Sequence, residues 1–466
     1  MAFTEYDFLV FFLILIAAYW LFKRRAWQNA LLLLASYVFY AWVHPWNALL
    51  IGFSTLFDYF LALGIAARRE HARRFLTLSL ALNVGVLAFF KYFNFFAEDI
   101  SGTLFRLGLT PDETLIQIFL PLGLSFYTLK KIAYIIDVSR ATMEPVRDPL
   151  AFALFVAFFP QLMIGPIDRA QNLVPQIQSD RAWRPEFFQR AWPLLLMGFF
   201  KKIVIADTIR SAVDRVFVLA EPAPLLTLAA ALAFMIQLLA DFSAYTDMSR
   251  GLAFLLGFDT PENFRAPFTA ATPAQFWDRW HITLSTWLRD YLFFPLRRIL
   301  LRARAPGWLS DTLPPILTML ISGIWHGAGW TYALWGGLFG VLIVIYQWLG
   351  MGGAWKPANR LQALLAWLVM ISLLAFLFLI FRAPSLAWLA GALTSSPFAG
   401  SAQETVVALV TLSTGLVYGL PLLIKHEMDR RLPPTSILFD LYFTFAALGI
   451  LLYVNSVAPD FIYAQF

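Results

Sequence analysis

The chain has no cysteine among its 466 residues, which excludes disulfides, a thiolate-held zinc or iron–sulfur centre and a cysteinyl acyl-enzyme. Charge is scarce too: Asp, Glu, Lys and Arg make up 14% of the residues, against 60% that are hydrophobic. No polar stretch is long enough to form a soluble domain. The composition therefore specifies an all-α multi-pass integral membrane protein, read as a single membrane domain over residues 1–466. Only five histidines occur, and of the two that follow a tryptophan, His281 and His326, neither has a partner at zinc-ligand spacing apart from Asp278, three residues before His281, so metal binding is disfavoured. No Walker-type phosphate loop and no GxSxG elbow is present, so a serine-hydrolase mechanism has no visible nucleophile.

What charge there is falls in short loops. The net charge of +6 would suggest nucleic acid in a soluble protein, but arginines gathered between apolar runs are what the positive-inside bias produces, and no nucleic-acid partner is expected. Lys23, Arg24 and Arg25 follow the first apolar run, and the preceding residues are acidic, so that run is read as an uncleaved first span with the N-terminus outside. Arg68 to Arg74 forms a second basic, cytoplasmic loop, while Glu98 to Glu113 is acidic and is placed outside. Counting runs of roughly 20 apolar residues gives about ten to twelve membrane-embedded helices. The polar interruptions in Leu115 to Val138, and Gly165-Pro166-Ile167-Asp168-Arg169 after the run Leu150 to Ile164, predict re-entrant segments around a chamber.

Two histidines stand out, each directly after a tryptophan, in Phe276-Trp277-Asp278-Arg279-Trp280-His281 and Ser322-Gly323-Ile324-Trp325-His326-Gly327. Thr272, Pro273 and Gln275 make a helix start of capping-box type. From there the spacing predicts one amphipathic helix with Trp277, His281, Leu284 and Leu288 on its apolar face. The pattern leaves His281 open between a catalytic group and an interfacial anchor. His326 is the readily protonated group in an otherwise uncharged run from Ile316 to Trp348, which favours function over a core histidine. Neutral imidazole is a natural general base for an alcohol at neutral pH. Gly323 with Gly327, and Gly336 with Gly340, are small-xxx-small pairs that let helices pack closely around it.

His44, His71 and His426 lie beside charges or proline and read as solvated, and the tryptophans of this region read as packing and belt residues. Asp241 and Asp247 either form a proton path or, the favoured reading, hydrogen-bond Tyr245, Ser243 or a neighbouring arginine.

Taken together with Ile282 to Leu292 and Ala328, these two segments resemble the membrane-bound O-acyltransferases, most closely the AlgI-like bacterial branch, with DltB more distant. Pro121 to Tyr127, Gly165-Pro166-Ile167, Asp241 to Met248 and the terminal Phe461 to Phe466 support the resemblance. It implies a helical bundle around a central tunnel in the bacterial plasma (inner) membrane, with His326 essential and His281 important. It further implies no permanently bound cofactor, a donor that is acetyl-CoA or another acyl thioester reached from the cytoplasm, and an exopolysaccharide acceptor on the outer side. A periplasmic SGNH-type or AlgJ/AlgX-like acyltransferase is the implied protein partner. The chain departs from the branch at Arg297-Arg298, where glycines are usual, at Phe339, often histidine, and at Ala464, commonly aromatic. D-alanyl or longer-chain acyl transfer to teichoic acid, lipid or protein stays open, as does a non-enzymatic transporter, although the two matching halves typical of transporters are missing.

Overall fold

The structure, a computed structural model, describes residues 1–42, 44–106, 119–396 and 399–454. Among these residues the secondary structure is helical, with no strand. In chain order the helices are α1 Tyr6–Leu21, α2 Arg25–Ala41, α3 Trp46–Ala67, α4 Ala72–Arg106, α5 Leu124–Ser139, α6 Pro149–Ala157, α7 Phe159–Leu162, α8 Ala170–Gln178, α9 Pro185–Phe199 and α10 Asp207–Phe217. They continue with α11 Pro224–Leu255, α12 Pro273–Trp277, α13 Ile282–Leu288, α14 Phe294–Arg302, α15 Gly307–His326, α16 Trp330–Trp348, α17 Arg360–Arg382, α18 Leu386–Thr394, α19 Ala402–Arg431 and α20 Ile437–Tyr453.

Among the described residues six helices are long and apolar enough to cross a membrane, and α1 and α20 are shorter apolar helices. Other hydrophobic runs in the sequence are subdivided: Leu150 to Ile164 becomes α6 and α7, separated at Phe158 where ψ is 103°, and α9 gives way to a π-helical turn at Phe200–Ala206. Residues 107–113 of the acidic stretch and Phe461 to Phe466 lie outside the described residues.

The chain divides into two compact units, the first comprising Met1–Trp192 and Ser249–Pro261. Within it, Lys130 and Lys131 of α5 are both buried and serve different polar groups, because successive residues of a helix point about 100° apart. Lys131 Nζ lies 3.3 Å from Asp58 of α3, whose carboxylate also accepts from Asn83 of α4 at 2.8 Å. Lys130 donates to Gln161 at 3.1 Å, and Gln161 donates in turn to Asp168 at 3.2 Å. Asp168 also accepts from the Arg169 N–H at 2.8 Å and from Asn172, so the Gly165-to-Arg169 turn is a satisfied polar node. Gly123 precedes α5 at φ +81°, and a Cβ there would lie 2.4 Å from the Leu162 carbonyl oxygen. Only glycine fits this turn.

The second unit comprises Pro193–Met248 and Glu262–Phe466. Its core is built from the end of α9, from α10 and α11, and from α15 to α20. The carboxylates of α11 pair with lysines, where the sequence suggested Tyr245, Ser243 or an arginine: Lys202 Nζ is 3.0 Å from Asp241 and 2.8 Å from Asp207 of α10, and Lys201 Nζ is 2.7 Å from Asp247. Ion pairing answers the high desolvation penalty of such charges.

Helices α15 and α16 meet along glycines. A Cβ on Gly323 would lie 2.2 Å from the Tyr332 carbonyl oxygen, one on Gly336 2.3 Å from that of Met319, and one on Gly340 2.6 Å from Ile316 Cα. The two backbones therefore touch, which is how helices associate where lipid offers no hydrophobic driving force. Gly336→Ala should lower the thermal unfolding midpoint in detergent, a destabilisation of about 1–3 kcal/mol from overpacking. Gly337→Ala, where an added Cβ meets open space, should stay within about 0.5 kcal/mol. Lys202→Met, which strips the buried Asp241 and the half-buried Asp207 of their lysine, should destabilise by about 3–5 kcal/mol, more than Lys201→Met in the same assay.

Candidate active site

His281 and His326 both lie in the second unit, each enclosed by aromatic rings. The helix expected to carry His281 starts as the sequence indicates: the Thr272 hydroxyl accepts from the Gln275 N–H at 3.2 Å, and Gln275 Oε1 accepts from the Ala271 N–H at 3.1 Å. It does not continue as expected. Helix α12 ends at Trp277, and His281 sits between α12 and α13 at φ +42°, ψ +52°, a left-handed conformation uncommon outside glycine and asparagine. The reading of one amphipathic helix through residue 288 is thus corrected.

Asn263 makes this break possible by capping α13 from outside. Its backbone oxygen accepts from the Ile282 N–H at 2.9 Å, and its side-chain oxygen accepts from the Thr283 N–H at 3.1 Å and the Thr283 hydroxyl at 2.7 Å. The first free N–H groups of α13 are thereby satisfied without help from residue 281. The imidazole is released to the interior, where His281 has no exposed surface. Its ring lies 4.7 Å from Phe242 at 88° and 6.4 Å from Phe264. Residue 281 is in the connection between helices, outside the spanning segments, and desolvation holds its pKa below the ordinary histidine value. The neutral imidazole is the form this site supports.

His326 is the last residue of α15 and is 6% exposed. Gly327, extended at φ −163°, lets the chain turn away at once; a Cβ there would meet the Tyr332 ring at 2.2 Å. The imidazole packs edge-on against Trp335 of α16, with centroids 5.3 Å apart, and against Phe381 of α17 at 5.4 Å. Trp325 borders it at 4.9 Å.

The two histidines have different immediate neighbours, but one run of ring contacts connects their surroundings. Phe264 packs on Trp280 at 5.1 Å, Trp280 on Phe276 at 5.5 Å, Phe276 on Phe339 at 5.8 Å and Phe339 on Trp335 at 5.5 Å. Pairs of this kind contribute about 0.5–1.5 kcal/mol each beyond the area they bury. Phe339, the departure from the expected histidine, is therefore a packing residue between the two sites. Trp277, Trp280 and Trp335 pack as the sequence suggested, while Trp330 is 66% exposed. Of the other histidines, His44 is exposed, and His71 and His426 are half-buried.

Several residues of this region carry no sequence signal of their own: Asn263 as the external cap, and on α15 the buried hydroxyls of Thr318 and Ser322, two turns and one turn before His326 respectively. The glycine pairs could have indicated the seam that fixes His326, and did. What the arrangement offers chemically is the His326 imidazole in an enclosure of aromatic rings, and a second, neutral imidazole at His281 held by a left-handed backbone.

Comparison with known proteins gives the family. Residues 146–388 match the model of the MBOAT, membrane-bound O-acyltransferase family, a span that contains both histidines. The chain is 39% identical over 394 residues to a Pseudomonas aeruginosa protein named "Probable alginate O-acetylase AlgI", covering 83% of this chain and 74% of that protein. It is 34% identical over 423 residues to the peptidoglycan O-acetyltransferase of Helicobacter pylori, covering 83% and 76%. A teichoic acid D-alanyltransferase of Bacillus subtilis is more distant, 28% identical over 277 residues, or 56% of this chain and 68% of that protein. The chain belongs to the membrane-bound O-acyltransferase family and is a multi-pass membrane O-acyltransferase of its AlgI-like branch.

Proposed function

We propose that this enzyme moves an acetyl group from a cytoplasmic thioester, acetyl-CoA, to an exopolysaccharide or to a periplasmic SGNH-type, AlgJ/AlgX-like partner that completes the esterification. The observation that carries this reading is the imidazole of His326, buried at the end of a backbone-tight helix and walled by Trp335 and Phe381. The likeness to a named alginate O-acetylase over most of the chain supports acetyl and a polysaccharide over the other acyl groups and acceptors. The protein acts as one membrane domain in the bacterial inner membrane, with its N-terminus outside.

In the transfer step, a nitrogen of His326 takes the proton of the acceptor hydroxyl as its oxygen attacks the thioester carbonyl carbon. The C–O bond forms, the C–S bond breaks, and the proton passes from the imidazolium to the leaving thiolate, giving an ester and a free thiol with no net proton released. His281, neutral and enclosed in its own ring cage, either orients His326 or serves as an N–H donor that polarises the thioester carbonyl. Held in place before reaction, such a donor reorganises little as charge develops on the oxygen.

Membranes supplied in parallel with labelled acetyl-CoA, a long-chain acyl-CoA and an aminoacylated carrier protein should consume acetyl-CoA preferentially. His326→Ala should reduce acetyl transfer by about 10²–10⁴-fold and His281→Ala by roughly a hundredfold or more, at unchanged protein level. Transfer near the wild-type rate with His326→Ala rejects the assignment, and preference for the aminoacyl carrier would move the function to the D-alanyl branch.

A further inference from the structure

Two open clefts of the second unit differ in the charge they leave over. One, about 380 Å³ at the end of α19, contains Glu427 and Arg431, and there Glu427 pairs with both Arg430 at 2.8 Å and Arg431 at 2.6 Å. The other, about 390 Å³, is formed along α14 by Asp290, Phe294, Arg297, Arg298 and Leu301. Asp290 is engaged by Arg289 at 3.2 Å, and Arg297 by Asp311 at 2.9 Å. Arg298 in the cleft, with Arg302 and Arg304 beyond it, is exposed, and these three have no ion pair among the described residues. Residues 289–311 hold five arginines against two aspartates, so positive charge is left over on this side.

The apolar side of α14 is as open as its charge. None of its nine residues is buried; Phe294 is 46%, Ile299 62% and Leu301 57% exposed. A helix of this kind is at home in a membrane surface, where its apolar side enters the lipid and its guanidinium groups stay at the level of the headgroups. Its place in the fold agrees. Arg297 is tied to Asp311 near the start of α15, which then runs about 22 Å to His326, so the cleft is separate from the enclosure of the base. The exposed Trp308 in the first turn of α15 suits the same interface, and the arginine excess marks the face as cytoplasmic.

We propose that this cleft binds an anionic phospholipid of the cytoplasmic leaflet, its phosphate on Arg298 and Arg297 and its acyl chains along Phe294 and Leu301. Residues 294, 297, 298 and 301 share one side of α14 at spacings of three and four. That side is apolar, cationic and apolar in turn, which matches a molecule whose phosphate adjoins hydrocarbon. A soluble phosphate compound matches the arginines alone. Guanidinium–phosphate hydrogen bonds are charge-assisted and therefore strong. Lipid seated here ties α14 to the membrane at the start of the helix that ends on His326. The protein thereby acquires a dependence on anionic lipid that involves none of the reacting groups.

The purified full-length protein in detergent should be titrated with phosphatidylglycerol and, as a zwitterionic control with the same acyl chains, phosphatidylcholine, with bound lipid counted by native mass spectrometry. Wild-type protein should retain phosphatidylglycerol in preference, and added salt should weaken that preference. Arg298→Gln should lower the affinity for phosphatidylglycerol about fivefold, and the double variant Arg297→Gln/Arg298→Gln about 25-fold, with retention of phosphatidylcholine unchanged. Arg298→Lys, which keeps the charge, should stay within about twofold of wild type. Leu301→Asn should weaken both lipids alike. Equal retention of phosphatidylglycerol by wild type and the double variant, or no preference for it in wild type, overturns the proposal. So does its displacement by adenosine 3′,5′-bisphosphate, which would assign the cleft to a soluble nucleotide.

Discussion

The contact between α15 and α16 is the constraint on which the site depends. Three glycines bring the two backbones so close that a single added carbon would overlap a carbonyl oxygen or an α-carbon. The position of His326 is consequently set by main chain, not by side-chain packing that can relax. Around it stand Trp335 and Phe381, which offer the imidazole edges and faces but little polarity. A rigidly placed base meets the needs of an acyl transfer between two substrates that must be positioned together.

Much of this was legible in the sequence, and the reason is the continuity of the elements concerned. The run from Ile316 to Trp348 keeps its apolar character through two helices, so the isolated His326 and the glycine spacing could be read directly. His281 was different. Trp277, His281, Leu284 and Leu288 keep a helical spacing straight through residues where the chain is not helical. The break is imposed by Asn263, which lies in an irregular segment before α12 and supplies the cap that His281 does not. Local periodicity carries no information about a cap brought in by tertiary structure. The same holds for Asp241 and Asp247, whose partners Lys201 and Lys202 are consecutive residues in a run that reads as plain hydrophobic sequence.

A recurrent device appears in both units. Lys130-Lys131 in the first and Lys201-Lys202 in the second each send adjacent ammonium groups to separate polar partners: Asp58 and Gln161 in one case, Asp241 and Asp247 in the other. On α5, where adjacent residues diverge by about 100°, the pair reaches α3 and α7, whereas the second pair reaches two carboxylates six residues apart on α11. The π-helical turn at Phe200–Ala206 contains the second pair. Polar residues that looked like candidate proton carriers are in this way accounted for as structural pins. The catalytic interpretation rests on the two imidazoles instead.

The most direct test of the account is the pH dependence of kcat/KM for acetyl transfer by the purified enzyme and by its His326→Ala variant. The account predicts that wild-type activity falls as pH is lowered through a single ionisation, since protonation removes the base, and that the small residual rate of the variant does not follow that limb. A variant retaining the same acidic limb at a rate near wild type would mean that another group takes the proton, and would contradict the role given to His326.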